Sequence, residues 1–200
     1  MKKIFFLLLI LSFLAVPQAA VIRYNSRATF EAALASYVLI DFSPTPARGP
    51  STQIFQDLTL YGGGGLHGST SFGAPSSMIS AENGGPITMT LASGYKALGA
   101  EFGDLFNQNT ASFTIRDSSN TILETVNLTV AKTSNFNSAS TTFYGWISDG
   151  NDLLSILFSH SGFEALDNVI YGNQTAPSVP EASTTLIFAL GLFILARYRK

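Results

Sequence analysis

The chain has 200 residues, 46% of them hydrophobic and 12% charged, and it contains no cysteine. Such apolar content excludes a disordered chain, and the lack of cysteine excludes a disulfide-stapled scaffold, a cysteine zinc site and a thiol nucleophile. Residues 21–178 carry six basic side chains (Arg23, Arg27, Arg48, Lys96, Arg116, Lys132) against twelve acidic ones, so this stretch lacks the basic footprint that nucleic acid requires.

Residues 1–20 read as a secretory signal. Lys2 and Lys3 precede an apolar run from Ile4 to Leu11, continued by Phe13, Leu14 and Val16; Pro17 breaks it, and Ala19 and Ala20 offer small side chains to a signal peptidase. The run is short of the ~20 residues that span a bilayer, so cleavage near Ala19–Ala20 is expected, the bond itself staying open. Ser26–Ser36 (SRATFEAALAS) has a helical period: Ser26 is positioned to cap it, and Phe30, Ala33 and Leu34 share a face. Tyr37–Phe42 (YVLIDF) reads as a strand, and prolines and glycine make 43–51 a loop. Gln53–Tyr61 (QIFQDLTLY) reads as one strand with Ile54, Leu58 and Leu60 inward, although alternation breaks between Phe55 and Leu58.

Gly62–Gly65 has neither the Lys-Ser/Thr of a phosphate loop nor the spacing of a dinucleotide turn, so it is read as permissive backbone. From Pro86 onward period-2 alternation dominates. Strands are expected over Ile87–Leu91, Leu98–Phe102, Ser112–Arg116, Thr121–Val130, Phe143–Ile147, Leu153–Phe158 and Ala165–Tyr171. About nine strands with regular turns predict an all-β, jelly-roll-like antiparallel sandwich over residues 21–172, with one short N-terminal helix. Residues 173–178 form a polar linker.

Catalytic signals are absent: there is no G-x-S-x-G elbow, and His67 and His160 share no ligand spacing with acids. Two constellations remain. Asp41 ends an early strand and Asp167 lies in the last. Neighbouring first and last strands would let them share a calcium ion with backbone carbonyls, or each would bond its own local backbone. On the strand Phe143–Ile147, Tyr144 and Trp146 face the side opposite Phe143. They would either stack on a glycan or fill the core.

The last 22 residues have three parts: Val179-Pro180-Glu181-Ala182-Ser183, an uncharged run over 182–196, and a basic end of Arg197, Arg199 and Lys200. Fifteen uncharged residues make a helix of roughly 22 Å, a marginal span held by a basic stop on the cytoplasmic side. This layout resembles the PEP-CTERM sorting signal, departing at Ala182, where that family has its second proline. The resemblance implies an exported protein of a Gram-negative bacterium, held briefly in the inner membrane. An exosortase-type enzyme would then process it near Pro180-Glu181 and deliver it to the cell surface or matrix. The segments IDF (Ile40–Phe42), ALGAEFG (Ala97–Gly103), FYGW (Phe143–Trp146) and ALDNVIYG (Ala165–Gly172) are similar to the recurring ectodomain of such proteins. That likeness implies a non-enzymatic structural, adhesive or polysaccharide-binding domain. The alternatives are a hydrolase of matrix polysaccharide, for which no acid pair is marked, and an ice-binding protein. Ice binding needs a flat threonine array, for which Thr88, Thr90, Thr141 and Thr142 are too few.

Overall fold

The computed structural model describes residues 21–43, 49, 51–63, 65–69, 78–81, 85–104, 109–132, 141–159, 162 and 164–175. Residues 1–20 and 179–200, expected from sequence to be a secretory signal and a sorting tail, lie outside them. Among the described residues no helix is long and apolar enough to cross a membrane. The elements are β1 (Val21–Tyr24), α1 (Arg27–Ala32), β2 (Leu34–Ile40), β3 (Thr52–Phe55), β4 (Leu58–Gly62), β5 (Leu66–Ser69), β6 (Met78–Ala81), β7 (Ile87–Leu91), β8 (Ala97–Asp104), β9 (Asn109–Asp117), β10 (Ile122–Lys132), β11 (Thr142–Ser148), β12 (Leu153–Ser159) and β13 (Glu164–Gln174).

They build two facing sheets. One runs β1-β11-β8-β13, with β2 and β6 sharing the far edge of β13 and β5 beyond β6. The other runs β3-β4-β7-β12-β9-β10. Every ladder among the described residues is antiparallel except a short parallel contact, Ala131↔Gly103 and Lys132↔Asp104, which joins the sheets along one border. Inward residues of both sheets meet in one core. Phe102 of β8 lies edge-on to Phe113 of β9 and Phe158 of β12, both at 4.9 Å between ring centroids, and Phe113 meets Trp146 of β11 at 5.4 Å. These side chains are fully buried, and each removes from water enough apolar area for about 1.5–3 kcal/mol.

The strands differ from expectation where local pattern loses to pairing. The expected strand 53–61 is a hairpin, turning at Gln56-Asp57, the place where alternation broke. In consequence Ile54 points outward, 72% exposed, while Leu58 and Leu60 are buried as expected. The helix stops at Ala32 because Leu34 opens a ladder with β13, Leu34↔Gln174 through Ile40↔Val169. Ser26 is extended at the helix N-cap but makes no side-chain cap bond; Thr29 Oγ1 donates to its carbonyl instead. β1, β5 and β6 are strands without a period-2 signal.

The outer face of the β1-containing sheet carries a second, smaller core. Phe30 of α1 packs there with Leu34, Ala97, Phe143, Ile147 and Ile170. Glycine makes room for it. Gly99 and Gly145 are register partners, and a Cβ on Gly145 would lie 2.7 Å from the Phe30 ring. Arg27 fixes the other side of α1 through Glu31 (2.8 Å) and Glu101 (3.6 Å).

Candidate functional site

The outer face of the other sheet is covered by no described element. Its outward residues are the ones that alternate with the core. Register places Thr125, Thr114, Leu157, Thr88, Tyr61 and Thr52 in one row across β10, β9, β12, β7, β4 and β3. A second row runs Ile122, Arg116, Ser155, Thr90, Thr59 and Ile54. Asn127, Ser112 and Ser159 begin a third. Strands lie about 4.8 Å apart and same-face residues about 6.6 Å apart along each, so the result is a regular grid of hydroxyls and methyls. Tyr61 is half exposed on it. Arg116 is the charged residue in these rows, and its Nη1 donates to the Asn120 carbonyl.

This grid also revises the count of threonines. Thr88 and Thr90 gain Thr52, Thr59, Thr114 and Thr125 as row neighbours, which separate stretches of sequence do not disclose. Thr142 belongs to the other sheet, where its Oγ1 accepts from the Ala131 N–H.

The end of the open sheet is fastened by Asp117. Its carboxylate accepts from the Asn151 side chain at 2.9 Å and from the N–H groups of Ser119 and Thr121 at 2.9 and 2.8 Å. The Asn151 bond first, then the backbone donors, hold its pKa below the ordinary carboxylate value.

The residues singled out from sequence fare differently. Asp41 and Asp167 are brought close, because the β2–β13 ladder ends just before Asp41. Each bonds local backbone: Asp41 Oδ1 accepts from Ser43 N–H at 3.0 Å, and Asp167 Oδ1 from Asn168 N–H at 2.7 Å. Asp41 is exposed and Asp167 buried. Among the described residues no group of three or more His, Cys, Asp or Glu gathers for a cation, which needs six to eight oxygens as calcium.

Tyr144 and Trp146 require a correction. They face opposite to Phe143 as expected, but Tyr144 is 9% and Trp146 0% exposed, inside the inter-sheet core. Tyr144 donates its hydroxyl to the Thr129 carbonyl, and Trp146 donates Nε1–H to Glu124 at 2.6 Å. A sugar ring cannot stack on side chains whose faces are already packed, so their role is core filling. His67 sits on β5 opposite Ser80. His160, Val179, Pro180, Glu181, Ala182, Ser183, Arg197, Arg199 and Lys200 lie outside the described residues.

A cleft of about 350 Å³ was not foreseen. It opens between the end of β2 and the β3–β4 turn, lined by Leu39, Ile40, Asp41, Phe42, Ser43, Phe55 and Gln56. Two of these, Phe42 (φ 54°) and Gln56 (φ 53°), hold left-handed backbone. Two tyrosines pin the turn: Tyr95 donates to Asp57 at 2.6 Å, and Tyr171 to Gln56 Oε1 at 3.4 Å. The Asp57 bond pushes the Tyr95 pKa up to about 12. A two-residue hairpin whose first residue has positive φ calls for glycine in sequence, so glutamine there gives no recognisable turn signal.

The sequence matches no protein-family model and no curated protein. Among solved structures it is similar to a point mutant of CBM29-2, a family 29 carbohydrate-binding module, at 16% identity and a TM-score of 0.39 over 70% of this chain and 94% of that one. It is also similar to a family 6 carbohydrate-binding module (18%, TM-score 0.33, 69% and 94% covered). A third is CsCBM6-3 from Clostridium stercorarium, solved with cellobiose (23%, TM-score 0.33, 68% and 94% covered). Likeness at these scores carries no argument about a ligand.

Proposed function

We propose that this chain is an exported, non-catalytic β-sandwich that holds a neutral polysaccharide against its open sheet. The observation that carries the reading is the Thr/Ser grid, over which no described element lies and of which Ser155 alone is buried, with Tyr61 among it. Each hydroxyl both donates and accepts, as the hydroxyls of a sugar do. The threonine methyls and the Tyr61 ring meet the apolar C–H faces of pyranoses. With Arg116 as the charged residue of the rows, attraction depends little on salt. The test is co-sedimentation of the purified mature protein with insoluble neutral polysaccharides at low and high salt. Retention on at least one polymer in both conditions is expected; retention on none, or retention abolished by salt, sinks the reading.

A second reading, ice binding, draws on the same grid, whose rows of Thr52, Thr59, Thr88, Thr90, Thr114 and Thr125 have lattice-like regularity. Tyr61, Leu157 and Arg116 interrupt those rows, so polysaccharide is preferred. Measurable thermal hysteresis would reverse that preference.

Export and sorting complete the proposal. The 1–20 leader would be removed by signal peptidase, and the 179–200 tail would hold the chain in the inner membrane until an exosortase-type enzyme reads Val179–Ser183. The protein would then reach the cell surface or matrix. Mass spectrometry of the surface form should find a last peptide ending near Pro180-Glu181. Intact Arg197–Lys200 on that form would exclude processing.

A further inference from the structure

We infer that the cleft between the end of β2 and the β3–β4 turn binds a single pyranose unit, such as a chain end. The inference rests on the polysaccharide reading and adds to it a second site, distinct from the grid.

Its volume, about 350 Å³, lies at the small end of the range for small-molecule pockets. Its lining divides by chemistry. Asp41, Ser43 and Gln56 supply a carboxylate, a hydroxyl and an amide, which between them accept from and donate to adjacent sugar hydroxyls. Leu39 and Phe55 supply apolar wall; Phe55 is held edge-on to buried Phe42 at 5.2 Å. A pyranose has the same division, hydroxyls at its rim and C–H groups on its faces.

The site is also held ready. Asp41 is aimed by its bond to the Ser43 N–H, an Asx-type turn. Gln56 stands on a turn pinned by the Tyr95 and Tyr171 hydroxyls and by the Asp57 carbonyl, which accepts from Ala92 N–H at 2.8 Å. Each wall contains a non-glycine residue in left-handed backbone, Phe42 on one side and Gln56 on the other. A bulky residue in that region is an outlier costing roughly 1–3 kcal/mol, and such strain concentrates where side chains must be aimed at a ligand.

The experiment uses the mature protein and a panel of methyl pyranosides, read by saturation-transfer NMR and calorimetry. At least one glycoside should bind the wild type, and Asp41→Asn and Gln56→Glu should each weaken it tenfold or more. The unfolding midpoint of Gln56→Glu should match that of the wild type, because either side chain offers Oε1 to the Tyr171 hydroxyl, so that lost binding is not lost folding. Polymer retention should survive in both variants, because insoluble polymers present few chain ends. If no glycoside binds, or if both variants bind as the wild type does, while polymer retention persists, the cleft proposal alone is overturned. If polymer retention fails in the wild type, the polysaccharide reading falls and this inference with it.

Discussion

On the outside of the β1-containing sheet stand Ala97, Gly99, Phe143, Gly145, Ile147 and Ile170; on the outside of the other stand Thr59, Thr88, Thr90, Thr114 and Thr125. The backbones are alike, and both inner faces are apolar. What differs is whether the outward positions can accept a covering element. Small and apolar residues on the first sheet let α1 approach until Phe30 rests on Gly145. Hydroxyls on the second gain little from burial, and no described element is drawn over them. One sheet spends its outer face on stability, and the other leaves it available for a partner.

That contrast can be broken at its strongest point. Phe30→Ala removes the centre of the small core and should destabilise the protein by about 3–5 kcal/mol in urea unfolding. Gly145→Ala, whose new Cβ would meet the Phe30 ring, should cost about 1–3 kcal/mol. If both are neutral, α1 is not what closes that face.

The fastening of the open sheet predicts a pH effect. The Asp117 pKa is depressed, so its stabilising contribution is present above its ordinary value of 3.8 and is lost as pH falls through the lower folded value. Wild type should therefore lose stability faster than Asp117→Asn as pH drops below about 4, and the variant should be less stable near neutrality by about 1–3 kcal/mol. Parallel acid unfolding curves would contradict the role given to this carboxylate.

The smallest expected change in stability sharpens the comparison best. Thr88→Ala and Thr114→Ala, made together on the open face, should shift unfolding by only about 0.5 kcal/mol each, while weakening polymer retention severalfold. A large loss of stability would mean that these side chains belong to the fold and not to a binding face.

Legibility in the sequence followed the same division. β7 (ITMTL) was plain, because one face is buried and the other wet, and strict alternation results. β1, β5 and β6 were not, since pairing with β11, β6 and β13 respectively makes them strands and four residues are too few to show a period. The end of α1 was missed because Leu34 satisfies a helical face and a ladder equally well until β13 is known. The threonine grid was invisible for a related reason: Thr52, Thr88 and Thr125 are neighbours only through register. The aromatic pair allowed two readings, and the structure selects the core. Tyr144 and Trp146 have the composition of a sugar platform, and only the facing Phe113 shows that they are core. The glycines of ALGAEFG, FYGW and ALDNVIYG now have a reason. Gly145 makes the notch under Phe30, a Cβ on Gly99 would lie 2.9 Å from the Gly145 backbone and the Phe143 ring, and a Cβ on Gly172 would overlap the Ser36 carbonyl of β2.

The pairing of β1 with β11 and of β2 with β13 has a consequence for timing. The Thr175 hydroxyl bonds the Ala33 carbonyl across 142 positions of sequence, and Val21 pairs with Ser148. Neither N-terminal strand has its partner until nearly the whole domain has been made. Closing such distant pairs is entropically slow, so the nascent chain stays open until its C-terminal strand has been made. A polypeptide that folds only when its last strand arrives is one that can be threaded through a narrow pore before it folds. Deleting 164–175 should leave a chain that remains protease-sensitive throughout, not one that merely folds more slowly.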